Sequence, residues 1–172
     1  RQFGKHLVIL ALDSGHVATY DGEQKAWLAD EMVRYQQLLH KIAVYHVPLY
    51  PSHRDYDEGS LGRTHWLPLF DDFNLDLALE NHDHTQKRSK LLRGNQVVPS
   101  DGTLYIGDGC WGMLPRSVKE RWYLETAHAT AHFWLITASE DAIRGQALDE
   151  TGISFDEFQL NASDTLGNNT IE

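Results

Sequence analysis

Hydrophobic and polar positions fall in blocks along this chain. Residues 7–12, Leu-Val-Ile-Leu-Ala-Leu, are continuously apolar, the pattern of a strand buried on both faces. A polar loop follows. Between Gly22 and Lys41, apolar residues recur at Leu28, Met32, Tyr35 and Leu39, the spacing of one helix face. Residues 42–45 predict a second buried strand that ends at His46 and Pro48, and 49–60 form a polar loop rich in titratable groups. Residues 61–73 predict a short helix with Pro68 near its start or at a kink, and 75–79 a third buried strand.

The second half changes character. A strand core at Leu104–Ile106 runs into a glycine-rich turn, and residues 131–138, 142–149 and 153–160 predict successive strands. Residues 161–172 are polar and predict a loosely ordered tail. The strand–helix–strand–helix–strand rhythm of the first half implies β-α-β units and a layered α/β fold. A strand buried on both faces so near the first residue needs neighbours on each side, which predicts that the chain is the C-terminal part of something longer.

Length and charge narrow the function classes. At 172 residues the chain is one domain's worth and can bury a core. Fifteen Lys and Arg against 25 Asp and Glu leave a net charge of −10, which argues against a nucleic-acid partner or an anionic membrane surface. Phosphate remains accessible to such a protein where metal ions supply local positive charge. The one cysteine, Cys110, excludes an internal disulfide, and no apolar run reaches the ~20 residues of a membrane-spanning helix. Two N-glycosylation triplets, beginning at Asn161 and Asn168, point toward an extracytoplasmic location.

Three histidines occupy equivalent places. His46 directly follows the strand at 42–45, and His82 and His84 come shortly after the strand at 75–79. Parallel strands of an open α/β sheet deliver their carboxyl ends to one edge, where ligands bind. Imidazoles converging there suit a metal ion, and on an extended backbone residues two apart point the same way. The plainer alternative is three solvated or hydrogen-bonded strand-end histidines. His6, His16, His40 and His65 stand singly and read as structural, and His128 and His132 lack a third partner. Trp66, Trp111, Trp122 and Trp134 read as core or interface residues.

The segments AVYHVPLY (43–50), LDLALENHDHTQKR (75–88) and GTLYIGDGCWG (102–112) supply a family resemblance. With LALDSGH (10–16), GEQKAWLADEM (22–32) and the closing run 132–160, the chain resembles the C-terminal half of a calcineurin-like metallophosphoesterase of the purple acid phosphatase branch. That resemblance implies the C-terminal half of a four-layer α/β/β/α sandwich over residues 1–160, with mixed sheets and helices outside. It implies hydrolysis of phosphate esters by a hydroxide held between two metal ions, divalent or mixed-valence, drawn from iron, zinc and manganese. His46 and His82 would bind one ion and His84 the other. His53 would serve the leaving group and Arg54 would contact a phosphate oxygen. The family's Asp-x-His, Gly-Asp-x-x-[Asp/Tyr] and Gly-Asn-His motifs are absent, so the N-terminal portion of the same domain is an expected partner. Asn81 stands where the family has glycine, and asparagine is the side chain that best tolerates positive φ. Thr85–Arg88 replaces an aromatic-containing run. Two other readings stay open: a mononuclear three-histidine zinc hydrolase, and a non-catalytic binding module on the same scaffold.

Overall fold

The computed structural model describes residues 1–107, 110–162 and the backbone of 170–171. Its strands are β1 (Gln2–Phe3), β2 (Leu7–Ala11), β3 (His40–Tyr45), β4 (Leu77–Glu80), β5 (Gln86–Ser89), β6 (Leu92–Arg93), β7 (Gln96–Val97), β8 (Leu104–Gly107), β9 (Leu124–His128), β10 (Phe133–Ala138), β11 (Ala142–Leu148), β12 (Ser154–Asn161) and β13 (Thr170–Ile171). The helices are α1 (Gly22–Arg34), α2 (Ser60–His65) and α3 (Leu67–Asp72), with a 3-10 turn at Tyr56–Gly59. A seven-stranded sheet runs in the order β1-β2-β3-β4-β8-β5-β9, and β10-β11-β12-β13 form a separate antiparallel sheet. Within the large sheet β2, β3, β4 and β8 are mutually parallel, whereas β5 runs antiparallel to both β8 and β9.

Side chains alternate across the central strands and build two cores. Ala43, Ala78 and Tyr105 join Leu28, Met32, Trp66 and Phe70 of the helices on one face. Ile42, Leu77, Leu104 and Ile106 meet Ile143, Phe158 and Leu160 of the antiparallel sheet on the other. The layers are therefore helices, mixed sheet and second sheet. This mixed α/β arrangement agrees with the expected fold class, and residues 42–45, 77–79 and 104–106 are continuously apolar because both faces of the sheet are covered there. Arg88 joins the two sheets through a forked contact with Asp156, its Nη2 donating at 2.8 Å and its Nε at 3.1 Å.

Several boundaries differ from the expectation. The first helix stops at Arg34 and the chain from Tyr35 to Leu39 turns, so that β3 starts at His40, whose ring Nε2–H donates to the Ser139 carbonyl at 2.7 Å. The helix expected over 61–73 is broken at Trp66, with Pro68 in the first turn of α3, where its missing N–H has no helical partner to lose. Strand β5 was not anticipated because Gln-Lys-Arg-Ser shows no apolar period; pairing on both sides buries it all the same. The Lys87 stem passes over Gly107, where an added Cβ would collide with the Lys87 side chain. In the expected polar tail, Asn161 closes β12 and Thr170–Ile171 pairs with Leu160–Asn161, while 163–169 and Glu172 lie outside the described residues.

Candidate metal centre

The carboxyl ends of β2, β3 and β4 meet at one edge, and hydrogen bonds tie their loops together. Ser14 Oγ, after β2, accepts the Val47 N–H at 2.8 Å. The Asn81 amide donates to the Tyr45 carbonyl at 2.9 Å, and the Asn81 N–H to the His46 carbonyl at 3.1 Å. Glu80, the last residue of β4, accepts from Tyr45 Oη, the N–H groups of Leu49 and Tyr50, and Lys87 Nζ. Each loop is thus anchored by a polar group buried just beneath it.

On this base the structure brings His46 and His82 together. His46 Nε2 lies 2.8 Å from His82 Nδ1, with ring centroids 4.6 Å apart. His84 is half-buried on the same loop and close enough to act electrostatically on His46. The H-x-H segment is not extended. His82 and His84 both take positive φ, 71° and 55°, while Asn81 does not, so the left-handed backbone expected at Asn81 falls on the two histidines. Such conformations are unfavourable for a side chain of this size, and strain of this kind concentrates at functional sites.

Asp83 explains how the turn is held. Its carboxylate is buried and accepts the N–H groups of Ser52, His53 and Arg54, as well as Ser52 Oγ at 3.2 Å. One residue therefore locks the loop bearing His53 and Arg54 onto the loop bearing His82 and His84. His53 Nδ1 meets the Ser117 carbonyl at 2.7 Å, which makes Nδ1 the protonated nitrogen and leaves Nε2 free for proton exchange. The Arg54 guanidinium reaches Glu58 at 3.6 Å and Asp83 at 4.0 Å.

Both paired imidazoles are held neutral. Burial is the main cause for each; His16, Arg54 and His84 add to it at His46, and Arg54 and His46 add to it at His82, whose pKa is pushed down to about 4. Neutral imidazole is the form that binds a metal. A nitrogen pair sharing one ion at ~2.0–2.1 Å each would be roughly 2.8–3.4 Å apart for octahedral or tetrahedral angles. The observed 2.8 Å is an N–H···N hydrogen bond, so the pair fits an ion once the shared proton moves to the far nitrogen of its ring and both lone pairs face the same point. Among the described residues, no group of three or more His, Cys, Asp or Glu side chains is arranged to hold a metal.

No protein-family model matches the chain. A 77-residue stretch is 35% identical to the uncharacterized proteins MT2654 and Rv2577 of two Mycobacterium tuberculosis strains, covering 42% of this chain and 15% of theirs. The chain therefore spans a small part of the length of the curated relatives it matches. Among solved structures, purple acid phosphatase PPD1 from yellow lupin (Lupinus luteus) seeds superposes with a TM-score of 0.76 at 14% identity, over 89% of this chain and 30% of that one. GAP50, the anchor in the inner membrane complex of Plasmodium, gives 0.74 at 16% identity over 92% and 50%. PhoD gives 0.60 at 10% identity over 86% and 34%. The mixed α/β fold of this chain is shared with part of each of these structures. At these identities the likeness concerns the fold alone.

Sequence reasoning missed three participants at this edge. His16, read as structural, places its ring edge-on to His46 at 5.2 Å, held by Asp13, whose carboxylate accepts the N–H groups of His16 and Val17. Asp83 carried no signal beyond lying between two histidines. Arg116 donates from Nη1 to the His82 carbonyl at 3.3 Å and from its backbone N–H to the His84 carbonyl at 2.9 Å. Its position 32 residues beyond His84 in the sequence gave nothing to connect them.

The sign of the pH effect follows from His82. Its pKa in the metal-free fold lies near 4, below the 6.5 of an unfolded histidine, so the unfolded chain takes up a proton first. This contribution is fully present above pH 6.5 and is lost as pH falls from there toward 4. A proton NMR titration of the chelator-treated protein should show the His82 ring titrating near pH 4; a midpoint near 6.5 would contradict the packing described.

Proposed function

We propose that this chain forms the histidine-bearing part of a metal-dependent phosphoesterase site. The observation that carries the reading is the His46–His82 nitrogen contact, built by a strained turn at the carboxyl edge of parallel strands. The phosphatase folds that the chain resembles support it, as does the sequence resemblance through AVYHVPLY and the H-x-H segment.

In this reading His46 and His82 hold one metal ion and His84 a second. Bound there, two ions would activate water and offset charge on a phosphoryl group. The chain's own residues do the rest. His46 and His82 stay neutral, and release of the proton they share frees both nitrogens to ligate. Asp83 fixes the spacing of the two loops. His53, with Nδ1 committed to Ser117, exchanges a proton at Nε2 with the leaving oxygen, and Arg54 faces a phosphate oxygen with its guanidinium. The remaining ligands come from the N-terminal portion of the same domain. The metals are drawn from iron, zinc and manganese, and the substrate is a phosphate ester.

Metal uptake tests this directly. The chain should bind zinc or manganese with shifts in the His46 and His82 ring resonances. His46→Ala or His82→Ala should weaken binding by at least about a hundredfold, since losing even a group behind the ligands typically costs 10–100-fold. Zinc that leaves both rings unmoved would sink the assignment. A second reading, a non-catalytic module on the same scaffold, is favoured by the lack of a three-ligand group among the described residues. Elemental analysis of the native protein separates them: two metals per chain support hydrolysis, and none supports the module.

A further inference from the structure

The loop between β2 and α1 carries His16 toward His46, and one side chain ties that loop to the helix. Gln24, in the first turn of α1, accepts the Asp13 N–H at 2.7 Å. Its Nε2 donates to the Asp13 carbonyl at 2.8 Å and to the Thr19 carbonyl at 3.0 Å. Between Thr19 and Gln24 the chain passes through Asp21 and Gly22, so the length of the main chain there sets whether this clasp can close.

Several features coincide at that dipeptide. Asp21 is the N-cap of α1, yet its carboxylate makes no cap hydrogen bond to the helix. Both residues are exposed. Gly22 has a φ of 65°, which a residue with a side chain adopts only at a cost, and a Cβ there would meet nothing closer than the Thr19 hydroxyl. At a helix start its N–H has no carbonyl one turn back to donate to. An unscreened peptide nitrogen thus follows directly after a carboxyl that the helix does not hold.

The Asp101–Gly102 pair is built differently. Gly102 is buried, and a Cβ there would collide with the Leu92 backbone. Asp101 Oδ2 accepts the Ser100 hydroxyl at 2.9 Å, and its carbonyl accepts Arg93 Nη1 at 2.9 Å. Packing and hydrogen bonds hold that turn closed to rearrangement.

We infer that Asp21 is a site of spontaneous covalent modification, at which the Asp21–Gly22 peptide closes to a cyclic imide, reopens as isoaspartate and releases the His16 loop from α1. The Gly22 amide nitrogen attacks Asp21 Cγ and forms a C–N bond, while the carboxyl hydroxyl leaves as water with the amide proton. Water then adds to one imide carbonyl. Opening at Cγ restores aspartate; opening at the α-carbonyl routes the main chain through Cβ and lengthens it by one atom. No oxidant, metal or enzyme enters either step. The neutral carboxyl is the reacting form. Thr19 and the residue's own N–H, with His65 and Lys25 adding to them, hold the Asp21 carboxyl below its usual range, so the change is faster at mildly acidic than at neutral pH.

Prolonged incubation of the full chain at mildly acidic pH tests this, with peptide mapping and methyl transfer by an isoaspartyl methyltransferase as the readouts. Isoaspartate should accumulate at Asp21 severalfold faster than at Asp101. Asp21→Glu should remove the Asp21 signal, because its imide needs a six-membered ring, and thermal melting confirms that the variant folds. In the rearranged fraction the Asp13 amide, whose acceptor is Gln24 Oε1, should exchange with solvent faster than in the native chain. The Lys41 amide, held by the buried Asp76 carboxylate, should keep its protection. An Asp21 that stays aspartate, or that rearranges no faster than Asp101, overturns the site. Equal protection of Asp13 before and after rearrangement overturns the release of the loop. Neither result depends on metal uptake at His46 and His82.

Discussion

Glu80→Leu is expected to destabilise the fold by about 3–5 kcal/mol, the range for removing one partner of a buried ion pair. Glu80 and Lys87 are both buried, and Lys87 Nζ lies 2.6 Å from Glu80 Oε2. The substitution strands the ammonium with only the Tyr50 carbonyl, and it removes the acceptor for Tyr45 Oη and for the Leu49 and Tyr50 N–H groups. Lys87→Met should cost less, because the carboxylate keeps three neutral donors. The double variant should recover part of the loss but not all of it, since the orphaned donors remain. For a chain of this size each kcal/mol lowers Tm by roughly 2–4 °C, so calorimetric melting resolves the order. If Glu80→Leu melts with the native protein, the buried pair is not a structural anchor. The same substitution frees the segment after His46, so metal uptake at His46 should fall with it.

Asp83→Ala should cost about 2–4 kcal/mol, because buried N–H groups of Ser52, His53 and Arg54 lose their shared acceptor. The effect is larger than that of an ordinary loop carboxylate for an electrostatic reason. Burial alone would raise the Asp83 pKa, but the Lys87 ammonium and the three N–H groups outweigh it and hold the carboxyl below its usual value. Its stabilising contribution is present above the unfolded carboxylate range and is lost as pH falls through the folded value. The native protein should therefore lose stability on acidification more steeply than Asp83→Ala does. Amide hydrogen exchange gives the local readout: Ser52, His53 and Arg54 should exchange faster in the variant. Unchanged protection would mean that the two loops are joined by something other than this carboxylate.

The two predictions share a cause. The site edge is held by a few buried polar groups placed just below it, at Ser14, Glu80 and Asp83. Each satisfies backbone N–H groups that a loop at a sheet edge would otherwise leave without partners. Such groups tie the histidine loops to the strands beneath them.

The amino-acid pattern by itself determined the strand–helix–strand order, the apolar strands at 7–11, 77–79 and 104–106, and the candidacy of His46, His82 and His84, although in the first strand Leu7 and Ile9 are only partly buried and Ala11 is exposed. Continuous apolar runs and helical spacing are local signals, and a histidine at a strand end inherits its location from the strand. Tertiary structure alone decided the rest. Gln86–Ser89 became a strand because β8 and β9 supply hydrogen bonds on either side and Glu80 neutralises Lys87; nothing in Gln-Lys-Arg-Ser asks for burial. His16 and Arg116 joined the site from loops whose paths are set by long-range contacts, with Arg116 meeting His82 across 34 positions of sequence. Periodicity reports which face of an element is buried. Which loops converge, and which charges find partners there, depends on pairings that no local pattern encodes.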